Sequence, residues 1–147
     1  MSVYFQRGNH VVSDLDRALA FYCDILGMTL EFRKDSAPDS YSYPVFDIPR
    51  EAKLRFAVLN TPEQPRVMAL TEIRGIPLPP VPAPRRSAIV LRTPDIDRII
   101  SESTAAGLTV YPEEQLLTND GRIGREVGLV DHDGNLVVVY HITSAAK

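Results

Sequence analysis

The chain contains 147 residues, the size of one ordinary domain of ~100–200 residues. Hydrophobic residues make up 44% and charged residues 24% of it, which is typical of a globular protein and argues against a collagen-like or disordered chain. Its 16 Lys and Arg residues against 19 Asp and Glu give a net charge of −3, which argues against nucleic-acid binding through a basic face.

The sequence also argues against a helical membrane protein and against a disulfide-stabilised one. No apolar run reaches the ~18 residues that a membrane span needs. Cys23 is the only cysteine, so an intrachain disulfide or a multi-cysteine zinc site cannot form, and we interpret Cys23 as a packing residue. We therefore expect a cytoplasmic protein that contacts neither membranes nor nucleic acid.

The first half of the chain predicts a strand, a helix and then further strands. A strand over 3–12 leads to Ser13, a helix-capping residue followed by acidic residues that suit the positive end of a helix. Apolar residues recur at three- or four-residue spacing from Leu15 onward and predict a buried stripe. Gly27 stands where a left-handed residue ends a helix. Further strands are predicted over 28–34, 42–48, 54–60 and 67–73.

A proline-rich segment separates this half from the second. Residues 76–84 contain five prolines in nine positions, so the segment is extended and semi-rigid and cannot join the interior of a sheet. After it, Thr93 predicts the start of a second helix and Gly107 its end. The stretch 131–135 predicts a hairpin turn, and 117–126 predicts either a surface hairpin or a mobile lid. Strands are predicted over 88–92, 108–111, 125–130 and 136–142.

The two halves repeat one plan. Residues 14–17 (DLDR) match residues 95–98 (DIDR) at an offset of 81, and residues 27–30 (GMTL) match 107–110 (GLTV) at an offset of 80. A self-similar sequence of this kind predicts two copies of one structural unit. We predict a single domain over 1–147, composed of module 1 (about 1–75), a connector (76–86) and module 2 (about 87–147).

The stretch SDLDRALAFYCDILGM at 13–28 and the turn DHDGN at 131–135 resemble the vicinal oxygen chelate superfamily. This group includes glyoxalase I, bleomycin resistance proteins and extradiol dioxygenases, and the resemblance covers nearly the whole chain. It implies an α+β fold in which two βαβββ modules form curled mixed sheets around a concave cleft. It leaves the function open, because isomerases, dioxygenases and ligand-sequestering proteins share the fold.

The resemblance also says where the metal ligands of the family's enzymes would lie. Each half supplies two, a His or Gln on its first strand and a Glu on its last. A metal ligand must offer a lone pair, which a guanidinium and an alkyl side chain lack. No such lone pair is available at the matching positions in this sequence, which are Arg7, Ala69, Ala88 and Val138. We therefore expect no metal and no other cofactor.

Three residues stand close to these positions and could hold a metal only if the strands were irregular. His10, Glu72 and His141 each lie three residues beyond a family position. Because side chains alternate along a strand, each is expected to point to the opposite face. A β-bulge would reverse one such assignment, but a working site would need several reversals.

Strand alternation predicts a mostly apolar cup with a few polar groups in place of the metal, which is the usual composition of a small-molecule pocket. Tyr43 follows the polar loop 36–40 and either stacks on a ligand or covers the strands. Tyr140 either contacts a ligand or packs in the core. Arg7 and Arg92 have the alternative of pairing with surface carboxylates. The predicted ligand-binding residues are Arg7, Asn9, Tyr43, Arg92 and Tyr140.

We interpret the chain as a metal-independent small-molecule-binding protein that resembles bleomycin-resistance-type sequestering proteins. Arg7 suggests an anionic or carbonyl-bearing ligand. The alternative is an enzyme, a glyoxalase-like lyase or isomerase or a dioxygenase with a displaced metal site. A partner-binding module acting through the proline-rich segment has no further support. A homodimer is also expected, because Ala18, Phe21 and Ile25 make the first helix apolar beyond its main stripe.

Overall fold

The chain divides into two units in the computed structural model, which describes residues 1–144. The first unit is Met1–Pro80 and the second begins at Val81, so the boundary falls inside the proline-rich segment. No helix among residues 1–144 combines the length and the apolar character that a membrane span requires.

Unit 1 is a four-stranded mixed sheet with one main helix. The strand order is β1-β4-β3-β2, in which β1 pairs with β4 in parallel and the other pairs are antiparallel. Its elements are β1 (Gly8–Val12), α1 (Leu15–Leu19) continued by a π-helical segment (Ala20–Ile25), β2 (Thr29–Asp35), the short helix α2 (Ser42–Val45), β3 (Lys53–Thr61) and β4 (Gln64–Arg74).

The start of α1 is capped by Asp14, whose carboxylate accepts a hydrogen bond from the N–H of Arg17 at 3.0 Å. The prediction of Ser13 as the cap was wrong, because the Ser13 hydroxyl accepts from the Arg17 guanidinium instead. Gly27, at φ +89°, ends the helix as predicted. The π-helical segment buries the adjacent residues Phe21 and Tyr22 together, because its wider turn changes which side chains face the sheet.

The burial of this helix changes the argument for a dimer. The predicted surplus of apolar surface includes Ala18 and Phe21, but both are buried within the protein chain itself. Ile25 is half-buried. The helix therefore offers little surplus apolar surface, and the homodimer stays a prediction.

The predicted strand over 42–48 was wrong. These residues form α2 and a loop, in which Tyr43 and Ile48 pack on Leu54 of β3 and Ile73 of β4. Pro44 explains the difference, since it has no N–H to give to a sheet but fits the first turn of a helix. The first strand is also shorter than the predicted 3–12.

Unit 2 repeats the plan with five strands. The order is β5-β9-β8-β6, with β7 paired to β8, and β5 runs parallel to β9. Its elements are β5 (Ala88–Arg92), α3 (Ile96–Ala105), β6 (Thr109–Val110), β7 (Glu114–Leu117), β8 (Ile123–Val130) and β9 (Leu136–Ile142).

The β8–β9 turn of unit 2 follows the sequence signal, since Asp131 accepts two backbone N–H groups there, each at 2.9 Å. The prediction of Thr93 as the cap of the second helix was wrong by two residues: the capping position of α3 is Asp95, and the Thr93 hydroxyl accepts from the N–H of Asp95 at 3.0 Å in the turn ahead of it. Strand β7 was not predicted. It pairs with β8 around a turn closed by a hydrogen bond from the N–H of Thr118 to the carbonyl of Arg122 at 2.9 Å, so the 117–126 stretch is a hairpin.

The repeat is visible in the strand register. Asn9 lies opposite Ala69 in unit 1, and Val90 lies opposite Val138 in unit 2. Each family metal position on a first strand is therefore a diagonal neighbour of the one on the last strand. The nine strands that residues 1–144 form, in two mixed sheets, confirm the predicted α+β fold class.

Candidate functional site

Unit 1 contains a cavity of about 370 Å³, which lies within the range of small-molecule sites. Three of its nine lining residues are apolar, one is cationic and none is acidic. The lining residues are Arg7, Asn9, Ser36, Ser40, Ser42, Phe56, Val58, Ala69 and Thr71.

One face of the unit 1 sheet forms the floor of the cavity, and we call it the cavity face. Neighbouring residues across strands share a face, and the register places Val58 beside Ala69, with Phe56 beside Thr71. Asn9 follows on β1 beside Ala69. The side-chain amide of Asn9 donates to the Thr71 hydroxyl at 3.0 Å. The floor thus consists of three apolar side chains, on Phe56, Val58 and Ala69, beside a hydrogen-bonded polar pair.

The segment between β2 and β3 covers one end of this face and forms a wall. The N–H of Ser36 donates to the carbonyl of Leu54 at 3.0 Å, which fixes the start of the segment on β3. The Ser40 hydroxyl accepts from the N–H of Ser42 at 3.2 Å. All three serines of the cavity lining lie in this segment, so the wall presents hydroxyl groups.

Tyr43 supports that wall from below and does not line the cavity. It is buried, and its hydroxyl donates to the carbonyl of Ala52 at 2.7 Å. The Arg50 guanidinium lies over its ring, 5.1 Å from the centroid. Tyr43 therefore packs over the sheet, outside the lining of this cavity, and its role as a ligand contact stays a prediction.

Arg7 lines the cavity from the residue just ahead of β1. Within residues 1–144 it forms no hydrogen bond or ion pair, which distinguishes it from the arginines of the helix face described below. Its guanidinium keeps five donors available. An exposed cation without a carboxylate partner beside an apolar floor is suited to binding an anionic or carbonyl-bearing group.

His10 and Glu72 lie on the opposite face, which we call the helix face. His10 Nδ1 is 2.6 Å from the Tyr22 hydroxyl of the helix. Glu72 is fully buried and accepts from the N–H of Leu15 at 2.5 Å and from Arg55 Nε at 2.6 Å. The β1–β4 register runs without a shift, so no bulge returns either residue to the cavity.

Arg92 and Tyr140 are direct neighbours in unit 2, where they lie opposite each other on β5 and β9. Arg92 is exposed and Tyr140 half-buried, and Val90 on the same face is 62% exposed. His141 lies on the other face, and its Nδ1–H donates to the Thr93 carbonyl at 2.9 Å. The structure thus brings Arg7 and Asn9 together in unit 1, and Arg92 and Tyr140 together in unit 2.

The donor set does not fit the divalent metal of the family's enzymes. At the four corresponding positions stand a guanidinium and three alkyl side chains, and none offers a lone pair to a cation. Among residues 1–144, no group of three or more His, Cys, Asp and Glu side chains is arranged to hold a metal ion. We therefore derive no chemical step through a metal.

Cys23 is half-buried on the helix. Burial raises the pKa of its thiol, and the nearby Asp24 carboxylate adds to the effect. A raised pKa leaves little thiolate at neutral pH, and the thiolate is the nucleophilic form. This fits the interpretation of Cys23 as a packing residue.

Sequence reasoning did not single out Phe56 and the individual wall serines as cavity residues. The sequence places the polar loop 36–40 ahead of Tyr43, but the strand predicted over 42–48 misassigns the residues that follow the loop. The signal that could have located the wall was Pro44, which disfavours a central strand.

Comparison with known proteins identifies the family. The profile of the glyoxalase/bleomycin resistance protein/dioxygenase superfamily matches residues 7–139. The chain therefore belongs to this superfamily, the vicinal oxygen chelate group that the sequence resembles. Comparison with curated protein sequences finds no match.

Solved structures of low identity share the fold. A glyoxalase family protein from Bacillus cereus is 20% identical with a TM-score of 0.75, covering 98% of this chain and 97% of that one. The trypanothione-dependent glyoxalase I of Leishmania major is 18% identical with a TM-score of 0.66, covering 95% and 87%. A fosfomycin resistance protein from Listeria monocytogenes is 16% identical with a TM-score of 0.57, covering 97% and 96%.

Proposed function

We propose that this protein binds a small molecule in the unit 1 cavity without a metal ion, as bleomycin-resistance-type sequestering proteins do with their ligands. The single observation that carries the proposal is the cavity itself. It has a floor of three apolar side chains and one polar pair, a wall that contains three serines, and the guanidinium of Arg7 at the position where the family's enzymes place a metal ligand. A positive side chain can neutralise an anionic or carbonyl-bearing group in place of a metal.

The alternative activity, a glyoxalase-like lyase or isomerase or a dioxygenase, requires a general base or a metal at the cavity. The residues available for either role, His10 and Glu72, are bonded on the helix face. His141 in unit 2 is bonded to a backbone carbonyl. The contacts of these residues favour the binding role over the enzymatic one.

Calorimetric titration of a metabolite panel, with metal analysis of protein purified without chelator, tests the proposal. We expect binding of an anionic or carbonyl-bearing compound with a Kd of about 1 μM or lower, and far less than one equivalent of metal per chain. Arg7→Ala should weaken binding about tenfold. Lys53→Ala is the matched control, because Lys53 begins β3 and alternates onto the helix face.

Two results would contradict this proposal in different ways. One equivalent of zinc, nickel or iron per chain would replace the metal-independent role with the enzymatic one. Equal affinity of the wild type and Arg7→Ala for every bound compound would remove Arg7 from the site.

We also propose a cytoplasmic location.

A homodimer is a separate proposal. Val3, Tyr4 and Phe5 are consecutive and each more than four-fifths exposed, and exposed apolar groups of this kind often mark protein interfaces. Light scattering coupled to gel filtration should give about twice the chain mass of 16.4 kDa. A monomer mass at high micromolar concentration would contradict it.

A further inference from the structure

The cavity face continues beyond the cavity lining onto the edge strand β2. A bulge between Leu30 and Phe32 shifts the β2–β3 register, after which Phe32 lies opposite Val58 and Lys34 opposite Phe56. Both Val58 and Phe56 line the cavity. Phe32 and Lys34 therefore extend the cavity face at its side farthest from β1.

These side chains form an aromatic shelf with a positive charge above it. The rings of Phe32 and Phe56 meet edge to face, with centroids 5.8 Å apart. Lys34 Nζ lies 5.7 Å from the centroid of the Phe56 ring. Within residues 1–144 Lys34 forms no ion pair, although its neighbour Arg33, on the helix face, pairs with Asp16 at 2.7 Å.

Two unpaired cations thus flank one apolar surface in a chain of net charge −3. Arg7 lies at the β1 side and Lys34 at the β2 side, three strand spacings of ~4.8 Å apart. The registers also place Lys34 in the row of Val11, four residues along the strand from Arg7, so the two cations stand at opposite corners of the surface. The acidic residue at the bulge, Glu31, accepts a hydrogen bond from the Asn60 side chain and lies outside the cavity lining. A ligand whose charge is complementary to this surface is therefore negatively charged.

The floor between the cations favours a flat ligand. Ala69 and Val58 are short side chains beside the Phe56 ring, and a planar π-system can lie against such a surface with offset or edge-to-face contact to the ring. The serines of the wall provide hydroxyl groups at the covered end of the cavity. An ordinary aliphatic ligand would leave the aromatic shelf unused.

We propose that the cavity face of unit 1 binds a planar aromatic carboxylate, and that Lys34 is a second anion-binding residue beside Arg7. This inference rests on the proposed binding function and specifies the ligand class of the same site. Arg7 and Lys34 hold the anionic groups, and Phe56 with Phe32 contacts the flat body.

Three naphthalene probes of one shape test the ligand class by calorimetry: the 2-carboxylate, the 2,6-dicarboxylate and the neutral 2-carboxamide. The carboxylate should bind about tenfold more tightly than the carboxamide, and the dicarboxylate more tightly again, since charge-assisted hydrogen bonds are about twice as strong as neutral ones. Raising the salt concentration should reduce this preference. Amide chemical shifts of Ser36, Ser40 and Ala69 should move on binding.

Substitutions then assign the charges. Arg7→Gln and Lys34→Gln should each lower the preference for the dicarboxylate about fivefold, Lys34→Arg should retain it, and Lys53→Gln on the opposite face should leave it unchanged. The charge change at Lys34 lies on an exposed strand, so circular dichroism should show an unaltered fold.

The contrary outcomes separate the two proposals. A carboxamide bound as tightly as the carboxylate would overturn the anionic ligand class and leave the cavity as a small-molecule site. If Lys34→Gln kept the wild-type preference for the dicarboxylate, the proposed role of Lys34 would be overturned. No binding of any naphthalene, together with binding of other compounds from the metabolite panel, would overturn the planar class alone. No binding from probes or panel would overturn the proposed function itself.

Discussion

The two units place the same three positions in different electrostatic networks. Arg55 lies opposite Glu72 in the β3–β4 register of unit 1, and Arg125 lies opposite His141 in the β8–β9 register of unit 2. The repeat also relates Asp16 at the start of α1 to Asp97 at the start of α3. Each unit therefore has an arginine between a helix carboxylate and a residue near the end of its last strand.

Unit 1 buries the charge at this point. Glu72 has no exposed side-chain surface and accepts from Arg55 at 2.6 Å and 3.0 Å, with Arg74 Nε at 2.6 Å. It also accepts the N–H of Leu15, a donor left without a partner inside the helix. The four contacts satisfy both carboxylate oxygens, which a buried charge requires.

Unit 2 replaces the buried carboxylate with a histidine and moves the ion pairs to the surface. His141 donates to the Thr93 carbonyl ahead of α3, while Arg125 bonds Asp97 and Glu113 at 2.7 Å each on the surface. The comparison teaches that the βαβββ plan needs a polar tie between its last strand and its helix. It does not need that tie to be a fully buried carboxylate.

Neutralising the buried carboxylate should have the largest effect. Glu72→Gln removes the charge that Arg55 and Arg74 face, and breaking a buried ion pair costs about 3–5 kcal/mol. We expect the free energy of unfolding, measured by urea denaturation, to fall by this amount. Glu113→Gln, which neutralises an exposed carboxylate of the unit 2 network, is the control. Equal effects of the two substitutions would contradict the difference between the units.

Removing the arginines should lower the free energy of unfolding less than Glu72→Gln does, and the loss should be larger in unit 1 than in unit 2. Arg55→Met leaves Glu72 buried with Arg74 as its remaining ionic partner, which we expect to lower the free energy of unfolding by about 3 kcal/mol. Arg125→Met breaks surface pairs that water screens, so its urea midpoint should shift much less. A larger shift for Arg125→Met would mean that the surface network of unit 2 is the one that holds its helix.

Acid should weaken the surface pairs gradually. Hydrogen bonds from Arg125 lower the pKa of the Asp97 and Glu113 carboxyls, and the hydrogen bond from Arg33 lowers that of Asp16. A lowered folded-state pKa adds stability that is present above the ordinary carboxyl range of ~4 and is lost as the pH falls through the folded value. Urea midpoints should therefore decrease between about pH 5 and pH 2.

A matched variant can assign this pH dependence. Arg125→Met removes the cause of the lowered pKa at Asp97 and Glu113, so its urea midpoint should change less with pH than that of the wild type. The same slope in both proteins would show that other carboxyl groups govern the acid response.

The sequence predicts most of the fold because the relevant signals are local. Gly27 and Gly107 end their helices at positive φ as expected, and the Asp131 turn closes as its residue types indicate. The repeat predicts that the two halves of the chain share one structural plan. The α2 segment was missed because its aromatic and β-branched residues resemble a strand, whereas tertiary packing of Tyr43 and Ile48 against the sheet favours a helix and loop.

The site was predictable only where it follows from strand alternation. Alternation places Arg7 and Asn9 on the cavity face and sends His10 to the helix face, and the structure agrees. It could not place Lys34, because the bulge at Glu31 changes the face of every later residue in β2 and leaves no clear mark in the sequence. The serines of the wall were likewise hidden by the missed helix.

The same bulge also bears on how the protein behaves at high concentration. Strand β2 is an edge of its sheet and all seven of its residues are exposed, so its outer N–H and C=O groups could template strand addition from another molecule and lead to aggregation. An irregular, twisted edge is a poor template. The charged side chains of β2 further discourage a second strand from docking there, namely Glu31, Arg33, Lys34 and Asp35. We therefore expect the extra residue at the bulge, together with these charges, to disfavour edge-to-edge polymerisation through β2.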